Sequence, residues 1–416
     1  MQTISPHYPL HPFQRQVLHD LLTAVSGNKL QDRRVVVHLP TGAGKTRIAS
    51  HAAASFLNDR RAEGKVFLWL AASEELCEQA AQSLTDAWCS LGNRVATMYR
   101  YWGDASLELG ILDEGFVVAG LQKLWSAANS RLSAGEHGFL TKLGHKTAGV
   151  VFDEAHQAIA PTYRFLAEQL SVDNPPMIGL TATPGRTWRL DGDDYDLAEM
   201  FGEQKVTIDP RGHDNSVAYL ITNGYLAAPE FVQVNVDLDE RIAEPDGTGD
   251  YRKNDLRMIG NDPTWFSQVV ELTLDALARH DRVMVFCPSV PNALEASREV
   301  RRKGFRSAAI VAGTPSKDRD TAISVFRASD AEPMALFNFG VLTAGFDAPK
   351  TRCVIVARPT TSLVLYSQMV GRAMRGPRSG GNRHCEVLTV IDTRLKGFGS
   401  VAEAFTNWEE LWQKIN

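Results

Sequence analysis

Short apolar runs of strand length, set between stretches with helical spacing, recur along the whole chain, and that alternation constrains the fold more than any single residue does. RVVVHLP at 34–40, KVFLWLAA at 65–72, GFVVAG at 115–120, AGVVFDEAH at 148–156 and MIGLTAT at 177–183 are apolar nearly throughout, as strands buried on both faces must be. Residues 45–57 and 74–88 between them are rich in alanine and leucine at helical spacing, the pattern of crossovers in a parallel sheet. The alternation restarts with RVMVFCPS at 282–289, SAAIVAG at 307–313, MALFNFG at 334–340, CVIVARPT at 353–360 and CEVLTVID at 385–392. These runs predict an α/β chain of two tandem domains, 1–210 and 211–416, each a mostly parallel sheet flanked by helices. A length of 416 residues suits two such cores. The polar segment at about 237–262, containing EPDGTGDYRKND, has turn chemistry without periodicity and reads as a surface insertion. Phe405, Trp408, Leu411 and Trp412 fall at helical spacing in a C-terminal helix predicted at about 402–415, which either packs on the second domain or docks a partner.

Composition narrows the function classes. A formal charge of −5 excludes a protein that coats nucleic acid by bulk basicity, so any such contact needs a local groove. The five cysteines contain no CxxC pair, which argues against a disulfide framework and against a cysteine zinc site, and in favour of a reducing compartment. The first residues lack a charged head leading into an apolar run, and no stretch is long and apolar enough to span a bilayer. A cytoplasmic location without membrane contact is expected.

Two segments carry recognisable chemistry. LPTGAGKT at 39–46 leaves a strand and opens a helix, the context a phosphate-binding loop requires. With Thr41, the small residues Gly42, Ala43 and Gly44 let backbone N–H groups turn inward round a phosphate at a helix N-terminus. Lys45 supplies a point charge for the outer phosphates and Thr46 a hydroxyl for Mg2+. VVFDEAH at 150–156 ends a hydrophobic strand in two carboxylates. Asp153 there suits an Mg2+ site and Glu154 a general base for the attacking water. His156 has no second histidine one helical turn away and reads as a coupling residue, not a metal ligand.

With these in place the order of the remaining motifs resembles that of superfamily 2 helicases over residues 8–376. PFQ at 12–14, residues 71–79, residues 118–124, TAT at 181–183, FCPS at 286–289, LTAGFD at 342–347 and QMVGRAMR at 368–375 take the places of the family's motifs. The wording is most similar to the DNA-directed group containing RadD, UvrB, XPB-type translocases and type I restriction motor subunits. The resemblance implies two RecA-like domains with an ATP cleft between them, Gln14 reading the adenine edge, and Gln368, Arg372 and Arg375 completing catalysis from the second domain. Three residues apart on a helix, the two arginines would share one face. Gly345 and Asp347 would contact nucleotide. His156, Thr181 and Thr183 would couple phosphate loss to domain movement, or the threonines simply cap a strand end. Ser73, Gln122, Lys123, Ser289, Gly313, Thr314 and Thr343 would line a nucleic-acid track. Arg186, Trp188 and Arg189 either touch a strand or pack internally, and the acidic run at 191–196 reads as a solvated loop. The family's leading glycine is Leu39 here, the glutamate before Gly345 is Ala344, and Ser73 replaces a commoner arginine or threonine. The implied protein is an ATP- and Mg2+-dependent DNA helicase or translocase of repair or of defence against foreign DNA, working with a nuclease or another repair or defence subunit. An ATPase switch that senses nucleic acid without moving along it, and an RNA helicase, remain open alternatives.

Overall fold

A computed structural model describes residues 7–27, 33–133, 138–155, 161–182, 199–238, 250–328, 332–342, 348–392 and Leu395. The chain forms two compact units, with the passage from one to the other between Asp209 and Pro210.

The first unit contains β1 (Arg34–His38), β2 (Val66–Ala71), β3 (Thr97–Tyr101), β4 (Gly115–Gly120), β5 (Thr147–Asp153), β6 (Met177–Thr181) and β7 (Lys205–Val206). They make one parallel sheet in the order β3-β4-β2-β5-β6-β1-β7. Its principal helices are α1 (Pro12–Ala24), α2 (Lys45–Asn58), α3 (Glu74–Leu91), α4 (Leu121–Ser133), α5 (Phe139–His145) and α6 (Pro161–Leu170). Every residue of β2 and of β6 is buried, the burial that apolar strands covered on both faces achieve.

The second unit holds α7 (Ser216–Thr222), β8 (Ala228–Asn235), α8 (Lys253–Asn261), α9 (Pro263–Arg279), β9 (Arg282–Phe286), α10 (Val290–Arg302), β10 (Arg306–Val311), α11 (Ser316–Arg327), β11 (Met334–Phe339), β12 (Cys353–Val356), α12 (Leu363–Val370) and β13 (His384–Ile391). Its sheet is again parallel, in the order β10-β11-β9-β12-β13-β8. The α/β architecture with two parallel-sheet domains expected from the sequence is therefore the one observed. Among the described residues no helix is long and apolar enough to cross a membrane.

Two differences from the sequence reading have physical causes. The strands it passed over, β3, β7 and β8, lie at sheet margins; β8 pairs with β13 alone and alternates between exposed and half-buried residues. An edge strand needs no continuous apolar run, so none is written into it. The segment expected as a surface insertion at 237–262 also has to be corrected. Tyr251 is buried, and α8 buries Leu256 and Ile259, while Asn292 Nδ2 donates to the Gly260 carbonyl at 2.8 Å. The charged residues of KNDLR conceal a two-residue apolar face. Residues 239–249 lie outside the described residues, as do the predicted C-terminal helix and the acidic run at 191–196.

Arg282, the first residue of β9, is almost wholly buried, and its guanidinium serves the end of α11. Nε donates to the Phe326 carbonyl at 2.6 Å, Nη2 to that of Ala328, and Nη1 to those of Asp281 at 2.7 Å and Glu332 at 3.1 Å. Helix C-termini leave carbonyls without intrahelical donors, and one side chain meets two of them here, at Phe326 and at the C-cap Ala328. Arg282→Met should lower the urea midpoint by an amount equivalent to roughly 3 kcal/mol with an unchanged m-value, because buried acceptors lose charged donors. A shift within experimental error would remove Arg282 from the stabilising interactions.

Candidate active site

The strand order sets the site. β6 lies between β1 and β5, with His38 in register with Thr181 and Leu180 with Asp153. The three C-terminal ends therefore finish side by side, the edge of a parallel sheet where ligands bind. Leu39, one residue beyond β1, donates its N–H to the Thr181 carbonyl at 3.2 Å. Residues 39–44 then form the loop that leads into α2.

That loop depends on glycine at two points. Gly42 has φ of +90° and Gly44 has φ of +87°, with Gly44 as the N-cap of α2; both lie in the left-handed region that side chains disfavour. A Cβ on Gly44 would also come within 2.4 Å of Gln14 Nε2, so the α1 amide rests directly against the phosphate loop. Gln14 is buried, and its Oε1 accepts from the His11 N–H at 2.9 Å, closing the cap of α1. Lys45 and Thr46 open α2, and Lys45 Nζ donates to the Leu39 carbonyl at 3.2 Å, which keeps the ammonium at the loop.

Asp153 and Glu154 are both buried at the end of β5. Glu154 takes a left-handed φ of +52°, uncommon for a residue other than glycine, and its N–H donates to Asp153 Oδ1 at 3.0 Å. Burial raises the pKa of Asp153 well above the usual carboxylate range, and the neighbouring Glu154 adds to it; the Lys45 ammonium, the Glu154 N–H and the Trp69 indole act in the opposite direction. With the Thr46 hydroxyl on the adjacent helix, the donors are all hard oxygens. They suit Mg2+, which takes one or two protein oxygens and leaves its other positions to phosphate and water. His156 and Thr183 lie outside the described residues.

Two features were not read from the sequence. His38, fully buried at the end of β1, is held neutral chiefly by burial, with Lys205 and Lys45 lowering its pKa further and a backbone hydrogen bond at Ala182 opposing them. Beside α1 and α2, the Arg47 guanidinium lies 4.0 Å from the Tyr8 ring centroid, and Tyr8 stacks on His51 at 5.3 Å. No motif spacing marks these residues; only the packing of the N-terminal segment on α2 brings them together.

The other expected contacts sit on the loops that follow strands. Ser73 follows β2 and accepts the Leu76 N–H at 3.3 Å as the N-cap of α3. Gln122 and Lys123 form the first turn of α4 after β4, where Lys123 donates to the Gly103 carbonyl and stands 5.2 Å from the Tyr101 ring. In the second unit Ser289 follows β9 and is buried as the N-cap of α10, accepting from Asn292 N–H at 3.3 Å. Gly313 is exposed in the turn after β10, and Thr314 Oγ1 accepts the Val311 N–H at 2.9 Å. Gln368 lies on α12. Arg372 and Arg375 do not continue that helix, contrary to the expectation. α12 ends at Val370 with Gly371 as its C-cap, Arg372 falls in the following turn with Nε donating to the Gln368 carbonyl at 3.3 Å, and Arg375 pairs with Leu226 in an isolated bridge. Beyond Val370 the backbone passes into tighter turns, with Arg372 N–H donating to the Met369 carbonyl at 3.2 Å and Ala373 N–H to the Val370 carbonyl at 3.0 Å. Thr343, Gly345 and Asp347, with Arg186, Trp188 and Arg189, lie outside the described residues.

The raised Asp153 pKa has a sign that can be tested. The folded state holds this proton more tightly than the unfolded chain does, so folding carries a penalty that grows as pH rises above the ordinary aspartate value and is complete above the folded value. Asp153→Asn should therefore raise Tm at pH 8 by roughly 3 °C, with a smaller gain near pH 4. An equal or lower Tm at pH 8 would mean that Lys45 and the N–H donors already compensate the charge.

Comparison with known proteins bears on the family and the fold. Residues 7–186 match the family model described as type III restriction enzyme, res subunit, and residues 266–377 the helicase conserved C-terminal domain. A Schizosaccharomyces pombe protein named as a mitochondrial ATP-dependent helicase, irc3, is 26% identical over 391 residues, covering 92% of this chain and 57% of its own length. The DUF1998 helicase MrfA bound to DNA superposes with a TM-score of 0.64 at 17% identity, over 96% of this chain and 48% of that one. A fragment of an HsdR subunit of a type I restriction enzyme from Vibrio vulnificus YJ016 gives 0.61 at 19% identity, over 96% and 66%. At these identities the two structures are a likeness of fold. The chain spans about half the length of the curated relatives it matches. Motif order, paired parallel sheets and the two family matches together make this chain similar to the superfamily 2 helicases and, over its first half, to the res subunit of type III restriction enzymes.

Proposed function

We propose that this chain is an ATP-driven DNA translocase or helicase. The observation that carries the reading is the alignment of three strand ends, which sets the phosphate loop with Lys45, Thr181 and the buried Asp153–Glu154 pair along one edge of one sheet. In the reaction so read, N–H groups of residues 42–46 receive the β-phosphate of ATP and Lys45 neutralises the outer phosphates. Gln14 presents its amide to the adenine edge. Glu154 orients the attacking water and takes its proton. Asp153 and Thr46 would hold Mg2+, which supplies positive charge against the phosphate oxygens. Thr181, between the loop and the carboxylates, is placed to respond when the outer phosphate leaves, and His156, Thr183, Gly345 and Asp347 complete that coupling by their motif positions. From the second unit, Gln368, Arg372 and Arg375 complete the catalytic set, with the arginines stabilising charge that develops on the transferring phosphate.

Nucleic acid then follows the strand-end loops carrying Ser73, Gln122 and Lys123 in the first unit and Ser289, Gly313, Thr314 and Thr343 in the second. Since the Ser73 and Ser289 hydroxyls cap helices, these positions offer backbone more than side chain, which suits a grip on phosphates without base readout. DNA is favoured over RNA because MrfA is bound to DNA and HsdR belongs to a restriction enzyme. The same likeness supports a role in repair or defence alongside a nuclease or another repair or defence subunit.

The deciding experiment measures ATPase rate against single-stranded, duplex and forked DNA and RNA, together with displacement of a triplex strand from duplex DNA. Stimulation by DNA with displacement is expected; hydrolysis without displacement would leave a switch, and stimulation by RNA alone would overturn the DNA assignment. Lys45→Ala should abolish hydrolysis while the circular dichroism spectrum stays that of the wild type. Arg372→Ala should reduce kcat by about 10³-fold and change nucleotide affinity less than tenfold, whereas equal losses in both would assign it to ground-state binding.

A further inference from the structure

At the N-terminal edge of the second sheet, opposite to the loops just described, three potential metal ligands of different kinds converge. Cys353 begins β12 and is in register with Glu386 on β13, so their side chains share one face of the sheet. His280 is the C-cap of α9 and reaches the same place. One ligand atom from each of His280, Cys353 and Glu386 lies within 4.8 Å of the others.

The polar contacts suit a bound cation as well as they suit protons. His280 Nε2 is 2.8 Å from Glu386 Oε2, and the Cys353 thiol shares a hydrogen bond with Glu386. The other carboxylate oxygen, Oε1, accepts from Arg279 Nη1 at 2.7 Å, the outer support that ligating carboxylates commonly have. Cys353 and Glu386 are buried, while the His280 side chain keeps 19% of its accessible surface, which leaves an approach from solvent. Cys385, the preceding residue of β13, faces the other side of the sheet.

We propose that His280 Nε2, Cys353 Sγ and Glu386 Oε2 form a binding site for a borderline divalent cation of the Zn2+ class, with water in the fourth position. A nitrogen, a thiolate and a carboxylate are the donor types zinc accepts, whereas Mg2+ and Ca2+ prefer oxygen alone. Bonds of about 2.0–2.3 Å in a tetrahedron hold donor atoms roughly 3.5 Å apart, so the His280–Glu386 hydrogen bond need only lengthen modestly. Binding releases the thiol proton of Cys353 to solvent in exchange for the metal–sulfur bond, and the hydrogen that His280 Nε2 donates to Glu386 leaves as a proton or is replaced by one on Nδ1, freeing the Nε2 lone pair for the metal. The site ties the end of α9 to β12 and β13. It lies at the sheet edge away from the nucleotide loops, so its role is to stabilise the second unit, and it stands whether or not the ATPase reading holds.

The test uses Co2+ as a spectroscopic substitute on the whole chain, purified metal-free and kept reduced. One equivalent should produce a near-ultraviolet thiolate-to-cobalt charge-transfer band with tetrahedral visible bands, and one equivalent of Zn2+ should bleach them. The charge-transfer band should vanish in Cys353→Ser and weaken at least tenfold in His280→Ala at equal cobalt. It should persist in Cys89→Ser, which removes the exposed cysteine. Zn2+ should raise Tm of the wild type and leave that of His280→Ala unchanged. Absence of the band, its loss in Cys89→Ser, or its full retention in His280→Ala would overturn the site; this last variant alters a partly exposed side chain and decides the matter even if Cys353→Ser does not fold.

Discussion

Two carboxylates kept from water beside one ammonium are the constraint around which the first unit is organised. Asp153 and Glu154 end a hydrophobic strand and are buried there. Charges so placed are costly unless paired, and Lys45 favours the charged form of Asp153 from the neighbouring loop. The phosphate loop, the two glycines that let it turn and the Gln14 amide resting on Gly44 are local consequences of holding that ammonium in place.

The two sheets reach comparable ends by comparable means. In each, strands buried on both faces run parallel, so every connection crosses from one end to the other and the C-terminal loops gather along a single edge. The first sheet places the glycine-bearing loop of residues 39–44, the carboxylates and Thr181 there. The second places Ser289 and Gly313 there and leaves His280, Cys353 and Glu386 at the opposite edge. The chemistry expected at one edge and the cluster of His280, Cys353 and Glu386 at the other belong to distinct parts of that unit. The stability of the second unit rests on similar local solutions, among them the Arg282 guanidinium that serves the end of α11.

Several residues show where a linear reading stops. Leu256 and Ile259 form an apolar face too short to stand out among charged neighbours, so a packed helix passed for an insertion. Arg372 and Arg375 have helical spacing, yet the helix ends at Val370, before them. Ser73 and Ser289, expected along a nucleic-acid track, have their hydroxyls engaged as helix caps. Cys353, His280 and Glu386 come from separate elements, so no local spacing announces their convergence.

From the residues alone came the two-domain parallel architecture, ten of its strands, the phosphate loop and the carboxylate pair, because burial on both faces and turns round a phosphate impose short-range patterns that a chain must carry in its order. Tertiary structure alone decided which strand ends are neighbours, where Gln14 and His38 rest, how the edge strands pair and which side chains converge behind the second sheet. Those are facts of lateral order, set by packing between segments distant along the chain, and packing leaves its record in the sum of the contacts and not in the spacing of the letters.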